Sequence, residues 1–169
     1  MNTAKNDMQT VFVPDLIVSG GQTGCDYGTL LGAKAIGIPT GGIAPKGWRT
    51  EHGPKPEMRT FGLVESESED YNVRTKQNVL LSDAIILVAR NFESAGSRLT
   101  KRLAIDHGKP HFEVPFPPLP SLESPFLIDD IRAWLVWHRP GVLMFAGNRE
   151  SVAVGIEKWT QRLVCRIFV

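Results

Sequence analysis

A chain of 169 residues, 42% of them hydrophobic, has the length and composition of one globular domain with its own core, expected over residues 1–169 with 1–10 loose. The 19 basic and 18 acidic residues leave a net charge of +1, which argues against a general nucleic-acid surface. No apolar stretch approaches the roughly 20 residues that span a bilayer, MNTAKNDMQT lacks a signal-peptide core, and Cys25 and Cys165 are too few for a disulfide framework. A protein with free thiols in a reducing, cytoplasmic compartment is expected.

In chain order, the residues predict a strand over about 12–19, because Leu16, Ile17 and Val18 lack the alternation of a half-exposed strand. A helix over 26–35 follows, with Leu30, Leu31 and Ala35 at helical spacing and Gly37 closing it. A short strand over 38–40 leads into a long turn-rich stretch that includes Gly41, Gly42, Pro45, Gly47, Gly53, Pro54 and Pro56. Such stretches within a compact domain are usually functional or mobile. Next come a helix over 71–81, an apolar strand over 84–89 (AIILVA), a helix over 97–106 and a strand over 111–114. The proline-rich segment 115–125 reads as a surface connector. A helix over 128–137, a strand over 142–146 and a helix over 157–167 complete the chain. This alternation predicts an α/β fold, a parallel sheet with helices on both faces. Leu127, Ile128, Trp134, Leu135 and Trp137 suggest more apolar surface on one helix than a single contact covers, hence a homo-oligomer, dimer or tetramer.

Glycine turns are expected after four strands, at Gly20-Gly21, Gly41-Gly42, Gly96 and Gly147. In an open α/β sheet these share the carboxyl edge, where ligands bind. The run Ser19, Gly20, Gly21, Gln22, Thr23 and Gly24 exposes backbone N–H groups just before a helix N-terminus, an arrangement that favours phosphate or another anion. Ser19, Gln22 and Thr23 add side-chain hydrogen bonds. Asp26 is either an N-cap or a ligand contact. Lys46 and Arg49, flanked by glycine and proline near Gly42, either neutralise an anion or are solvated charges. Arg74, Thr75 and Asn78 share a helix face with Tyr71 and Ser82; their donors suit an anionic or amide-bearing ligand, although a solvated face is the ordinary role. Gly96 and Ser97, with Thr100 one turn on, open a second anion-ready helix. Neither GxGxxG nor GxxxxGK[ST] is present. The four histidines, His52, His107, His111 and His138, are scattered without ligand spacing. Trp48, Trp134, Trp137 and Trp159 are most simply core or interface residues, with Trp48 the best suited to flank a ring system.

SGGQTG (Ser19 to Gly24), PTGG (Pro39 to Gly42), PKG (Pro45 to Gly47), Gly53-Pro54, the Y-x-x-R-T-x-x-N-V run from Tyr71 to Val79, Ser82-Asp83, Leu99-Thr100 and AGNRES (Ala146 to Ser151) together resemble the molybdenum-cofactor carrier proteins. These belong to a Rossmann-like superfamily with the LOG, DprA and YpsA proteins. The resemblance runs from Leu16 to about Gly155. It implies a three-layer, doubly wound, mostly parallel Rossmann-like domain, usually oligomeric, that binds the molybdenum cofactor (molybdopterin) non-covalently and protects it. The pterin's phosphate would suit a glycine turn, and its oxyanionic metal centre would suit Arg74, Lys46 or Thr100. The chain departs from the family pattern at Tyr27, Ser97 and Asn148, in place of a basic residue, a threonine and a proline. The competing readings are a LOG-like nucleoside-monophosphate hydrolase and a sensor of a nucleotide-like ligand. LOG hydrolases carry a carboxylate in the helix turn after their glycines, and Gly96-Ser97-Arg98-Leu99-Thr100-Lys101 has none.

Overall fold

The computed structural model describes residues 11–117 and 125–169; the expected loose start at 1–10 and most of the 115–125 connector lie outside them. Six strands form one sheet: β1 (Leu16–Val18), β2 (Thr40–Ala44), β5 (Leu63–Glu65), β6 (Ala84–Ala89), β7 (His111–Pro115) and β8 (Val142–Gly147). The missing numbers belong to a small antiparallel hairpin, β3 (Arg49–Thr50) with β4 (Gly53–Pro54). The sheet order is β5-β2-β1-β8-β6-β7 and every pairing in it is parallel. Among the described residues the five α-helices are α1 (Cys25–Ala35), α2 (Tyr71–Leu81), α3 (Ala95–Asp106), α4 (Pro125–His138) and α5 (Ile156–Phe168). The fold is therefore the three-layer Rossmann-like α/β architecture.

Period-two alternation divides each central strand between two cores. Ile86, Val88, Leu143 and Phe145 face α1, α4 and α5, whereas Ile85, Leu87, Met144 and Ala146 face α2 and α3. All six residues of β6 are buried, so a run without alternation is what a doubly covered strand requires. Burying each large aliphatic side chain contributes about 1.5–3 kcal/mol. A third cluster, with Leu30, Met58, Trp48 and Phe61, fills the space under the 46–61 segment. There Trp48 is core and does not line the cleft described below.

Several elements differ from the sequence expectation, and for four of them a physical reason is visible. β1 is three residues long because Pro14 lacks an N–H and cannot extend the ladder. β2 begins at Thr40 and runs through Gly41-Gly42, so these glycines are not a turn. Gly42 has φ +124°, and a Cβ there would stand 2.2 Å from the Ser19 carbonyl oxygen; it serves close packing of β2 on β1. β5 was hidden in the turn-rich stretch because only Leu63 of its three residues is buried. α3 starts at Ala95, two residues early, with Ser94 as N-cap.

The apolar face of α4 is largely committed internally: Leu127, Ile128, Ile131 and Leu135 are buried in the core. Trp137 is 83% exposed and Val136 is also exposed. No helix among the described residues is long and apolar enough to cross a membrane.

Candidate functional site

Because the sheet is parallel, the ends of β1, β8 and β6 lie side by side at its carboxyl edge. From β1 the chain leaves toward β2, and from β6 toward β7, with β8 between them. This reversal opens a crevice at the strand ends. A cleft of about 530 Å³ occupies that edge. Its apolar surface comes from Leu87 of β6, Met144 and Ala146 of β8 and Leu99 of α3. Its polar walls come from the turn before α1, the start of α2, the start of α3 and the segment after β8.

The turn from β1 into α1 is bonded inward. Asp26 accepts from the backbone N–H of Gln22 at 3.1 Å and from the Gly20 backbone. Gln22 Oε1 accepts from the Thr23 N–H and the Glu51 N–H, both at 3.0 Å. Glu157 of α5 accepts from the Gly24 N–H at 3.3 Å. Ser19 Oγ donates to the Asp26 carbonyl at 3.2 Å. An anion at this turn would therefore compete with carboxylates already in place. Gly24 and Gly21 have φ near +75°, at +77° and +73°, so both suit the tight turn.

Glu51, at the tip of the hairpin, ties three loops together. It accepts from the Thr23 hydroxyl, from the Ser151 hydroxyl and from the Ser151 N–H at 3.1 Å. Burial raises its pKa, but the hydrogen bonds from Ser151 and Thr23 outweigh that and hold it below the ordinary carboxylate value.

Arg74 enters the cleft from α2 and is buried, with Nη1 3.8 Å from Asp26 Oδ2. Its Nε is buried without a hydrogen-bond partner among the described residues. Burial pushes the pKa of Asp26 up, opposed by the charge of Arg74. Burial also pulls the pKa of Arg74 down, opposed by Asp26 and Tyr71, while Arg149 adds a like-charge push. Arg149 lines the same cleft. Two guanidinium groups thus face one carboxylate among the described lining residues, and this excess of positive charge favours an anion.

The start of α3 forms the opposite wall. Ser94 caps the helix without its side chain accepting from a backbone N–H of the first turn, and a Cβ on Gly96 would meet nothing within 4 Å. The α3 amides and dipole thus open toward the cleft. Thr100 Oγ1 donates to the Gly96 carbonyl at 3.0 Å and Thr75 Oγ1 to the Tyr71 carbonyl at 2.9 Å. Those hydroxyl protons are turned inward.

Of the residues expected from sequence, Gln22, Asp26, Arg74, Thr75, Gly96, Ser97 and Thr100 line the cleft. Ser19, Gly20, Gly21, Thr23 and Gly24 shape the turn behind Gln22 and Asp26. Gly42 lies inside the sheet, and Lys46 is exposed on a 3-10 turn. Asn78 is buried, accepting from the Ile43 N–H at 2.8 Å and donating to the Ile43 carbonyl at 2.9 Å. That amide therefore clips α2 onto β2. Tyr71, Ser94, Asn148, Arg149 and Ser151, which are not among the binding residues expected from sequence, also line the cleft. The AGNRES run was the signal for the last three. Among the described residues no group of three or more His, Cys, Asp or Glu could hold a metal.

No curated protein matches the chain. A crystal structure of a protein named "Putative molybdenum carrier protein", from Syntrophus aciditrophicus SB, is 33% identical, with a TM-score of 0.81 over 92% of this chain and 95% of that one. The profile of the circularly permutated YpsA SLOG family matches residues 17–168, nearly the whole chain, and the protein belongs to that family.

Proposed function

We propose that this protein carries the molybdenum cofactor, binding molybdopterin non-covalently in the carboxyl-edge cleft. The observation that supports this reading is the combination of lining groups: Arg74 and Arg149 against the single carboxylate Asp26, beside an apolar surface of Leu87, Leu99, Met144 and Ala146. A flat heterocycle with a phosphate matches both halves, since the apolar surface takes a ring and the excess positive charge takes the oxyanion. The name of the Syntrophus protein points the same way.

The start of α3 is the better seat for the phosphate. Its first turn faces the cleft, whereas the amides of Gln22, Thr23 and Gly24 already hold Asp26, Gln22 and Glu157 side chains. Arg74 and Arg149 then reach the remaining anionic oxygens. Asp26 is bonded to backbone amides and faces Arg74, so the described lining residues offer no idle carboxylate to serve as an acid or base at a glycosidic bond. This favours carriage over nucleotide hydrolysis. We place the carrier in the cytoplasm as a homo-oligomer, which light scattering at micromolar concentration tests.

Titration of the apoprotein with molybdopterin, followed by pterin fluorescence, tests the reading. Saturable one-to-one binding that competes with inorganic phosphate is expected. Binding of a nucleoside monophosphate in preference to the pterin, with release of its base, would replace this reading with the hydrolase.

A further inference from the structure

Asn148, the first residue after β8, is buried and bonded at both ends of its amide. Its Oδ1 accepts from the backbone N–H of Arg90 at 2.8 Å and of Asn91 at 3.2 Å. Two backbone donors on one atom identify that atom as the oxygen. The amide nitrogen therefore faces the start of α3, where it donates to Ser94 Oγ at 3.2 Å and Ser97 Oγ at 3.3 Å. Ser94 Oγ in turn donates to Ser97 Oγ at 3.0 Å.

The protons in this cluster can be counted. A hydroxyl oxygen has two lone pairs and one proton. Ser97 Oγ accepts from both Asn148 and Ser94, so its lone pairs are filled. One of the two serine protons closes the Ser94–Ser97 bond, and the other has no acceptor among the described residues. Both serines line the cleft. With the Thr75 and Thr100 protons turned into their own helices, this is the hydroxyl proton that the start of α3 offers the cleft.

We propose that Asn148 is a positioning residue that sets the polarity of the cleft, making Ser97 a committed donor to an oxyanion. The inference rests on the carrier reading only in taking the start of α3 as the phosphate seat. The direction of the amide follows from the Arg90 and Asn91 backbone, so the loop after β6 is coupled to ligand recognition through one side chain. A Ser97 hydroxyl that only donates selects an acceptor oxygen without a proton, such as that of a phosphate-monoester dianion.

Isothermal titration with inorganic phosphate at pH 8, and separately with molybdopterin, tests the inference. Ser97→Ala should weaken phosphate binding about tenfold to a hundredfold, the range for a hydrogen bond to a charged group, with unchanged melting. Ser97→Thr should restore most of the affinity. Asn148→Ala should weaken binding in the parent but add no more than about twofold, the ordinary limit of additivity error, once Ser97 is alanine. Undiminished affinity in Ser97→Ala, or an Asn148→Ala effect of the same size in both backgrounds, would overturn the proposal, as would a parent that binds no phosphate. Phosphate binding with this pattern but no molybdopterin binding would leave the proposal standing and remove the carrier reading.

Discussion

The backbone of Gly20 lies so close beneath the Arg74 guanidinium that a Cβ at position 20 would stand 1.7 Å from Arg74 Nη1 and 2.9 Å from Asp26 Oδ2. The first glycine of SGGQTG is therefore a seat for an arginine from another helix. Its lack of a side chain allows a buried cation from α2 to meet a buried carboxylate from α1 beside the cleft.

Gly20→Ala should consequently displace Arg74 without a backbone clash, since the nearest atoms are side-chain ends. Molybdopterin affinity is expected to fall about tenfold to a hundredfold, the range for losing a hydrogen bond from a charged donor. Circular dichroism should remain that of the parent. Equal affinity in the two proteins would show that Arg74 does not hold the ligand.

Arg74→Ala should make stability depend on pH in a defined direction. Burial raises the folded pKa of Asp26 above its unfolded value. That group alone thus contributes stability at acid pH that is lost as pH rises through its folded pKa. Arg74 offsets the loss by favouring the carboxylate. The stability gap between parent and variant should therefore be widest above the Asp26 titration and narrow as pH falls through it. Removing one partner of a buried pair costs about 3–5 kcal/mol, and access of water from the cleft makes that an upper value. Urea melts across pH measure the gap, and a gap independent of pH would contradict the ion pair.

Glu51→Gln should release the hairpin from the turn before α1 and from Ser151. The lowered pKa of Glu51 means its contribution is present above its unfolded pKa and lost as pH falls through the folded one. The parent should lose about 1–3 kcal/mol across that acid window, and the variant should not. Amide exchange at Ser151, whose N–H bonds Glu51, should quicken in the variant at neutral pH.

Gly147→Ala addresses folding. A Cβ there would lie 2.0 Å from the Val88 carbonyl and 2.7 Å from Cys25 Cβ, and neither neighbour is a flexible side-chain end. Overpacking of this kind costs about 1–3 kcal/mol or more, a drop in Tm of roughly 2–12 °C for a chain of this size. An unchanged Tm would mean the strand ends are looser than the structure describes.

The architecture was legible because its signals are local and repeated. AIILVA could only be a strand covered on both faces, and the residues from Tyr71 to Leu81 form a helix with the expected ends. The three-residue strand at Leu63 was not legible, since an edge strand with one buried residue leaves no apolar pattern. Within the site, Arg74, Asp26 and Ser97 could be found from donors and acceptors beside glycine turns. Whether the SGGQTG amides were free could not, because the Gly24 amide finds its acceptor in Glu157, far away in sequence. Asn78 offered the same donor chemistry as a ligand contact, yet only the packing of α2 on β2 reveals that its amide is paired with Ile43. Gly41-Gly42 looked like a turn because sequence does not distinguish a glycine needed for φ from one needed for close packing.

Native mass spectrometry of the protein purified from a host that makes the molybdenum cofactor tests the central claim most directly. The account predicts a co-purifying mass of a phosphorylated pterin, with or without molybdenum, that is lost on addition of excess phosphate and is absent from Gly20→Ala. A co-purifying nucleotide, or a pterin retained equally by Gly20→Ala, would contradict it.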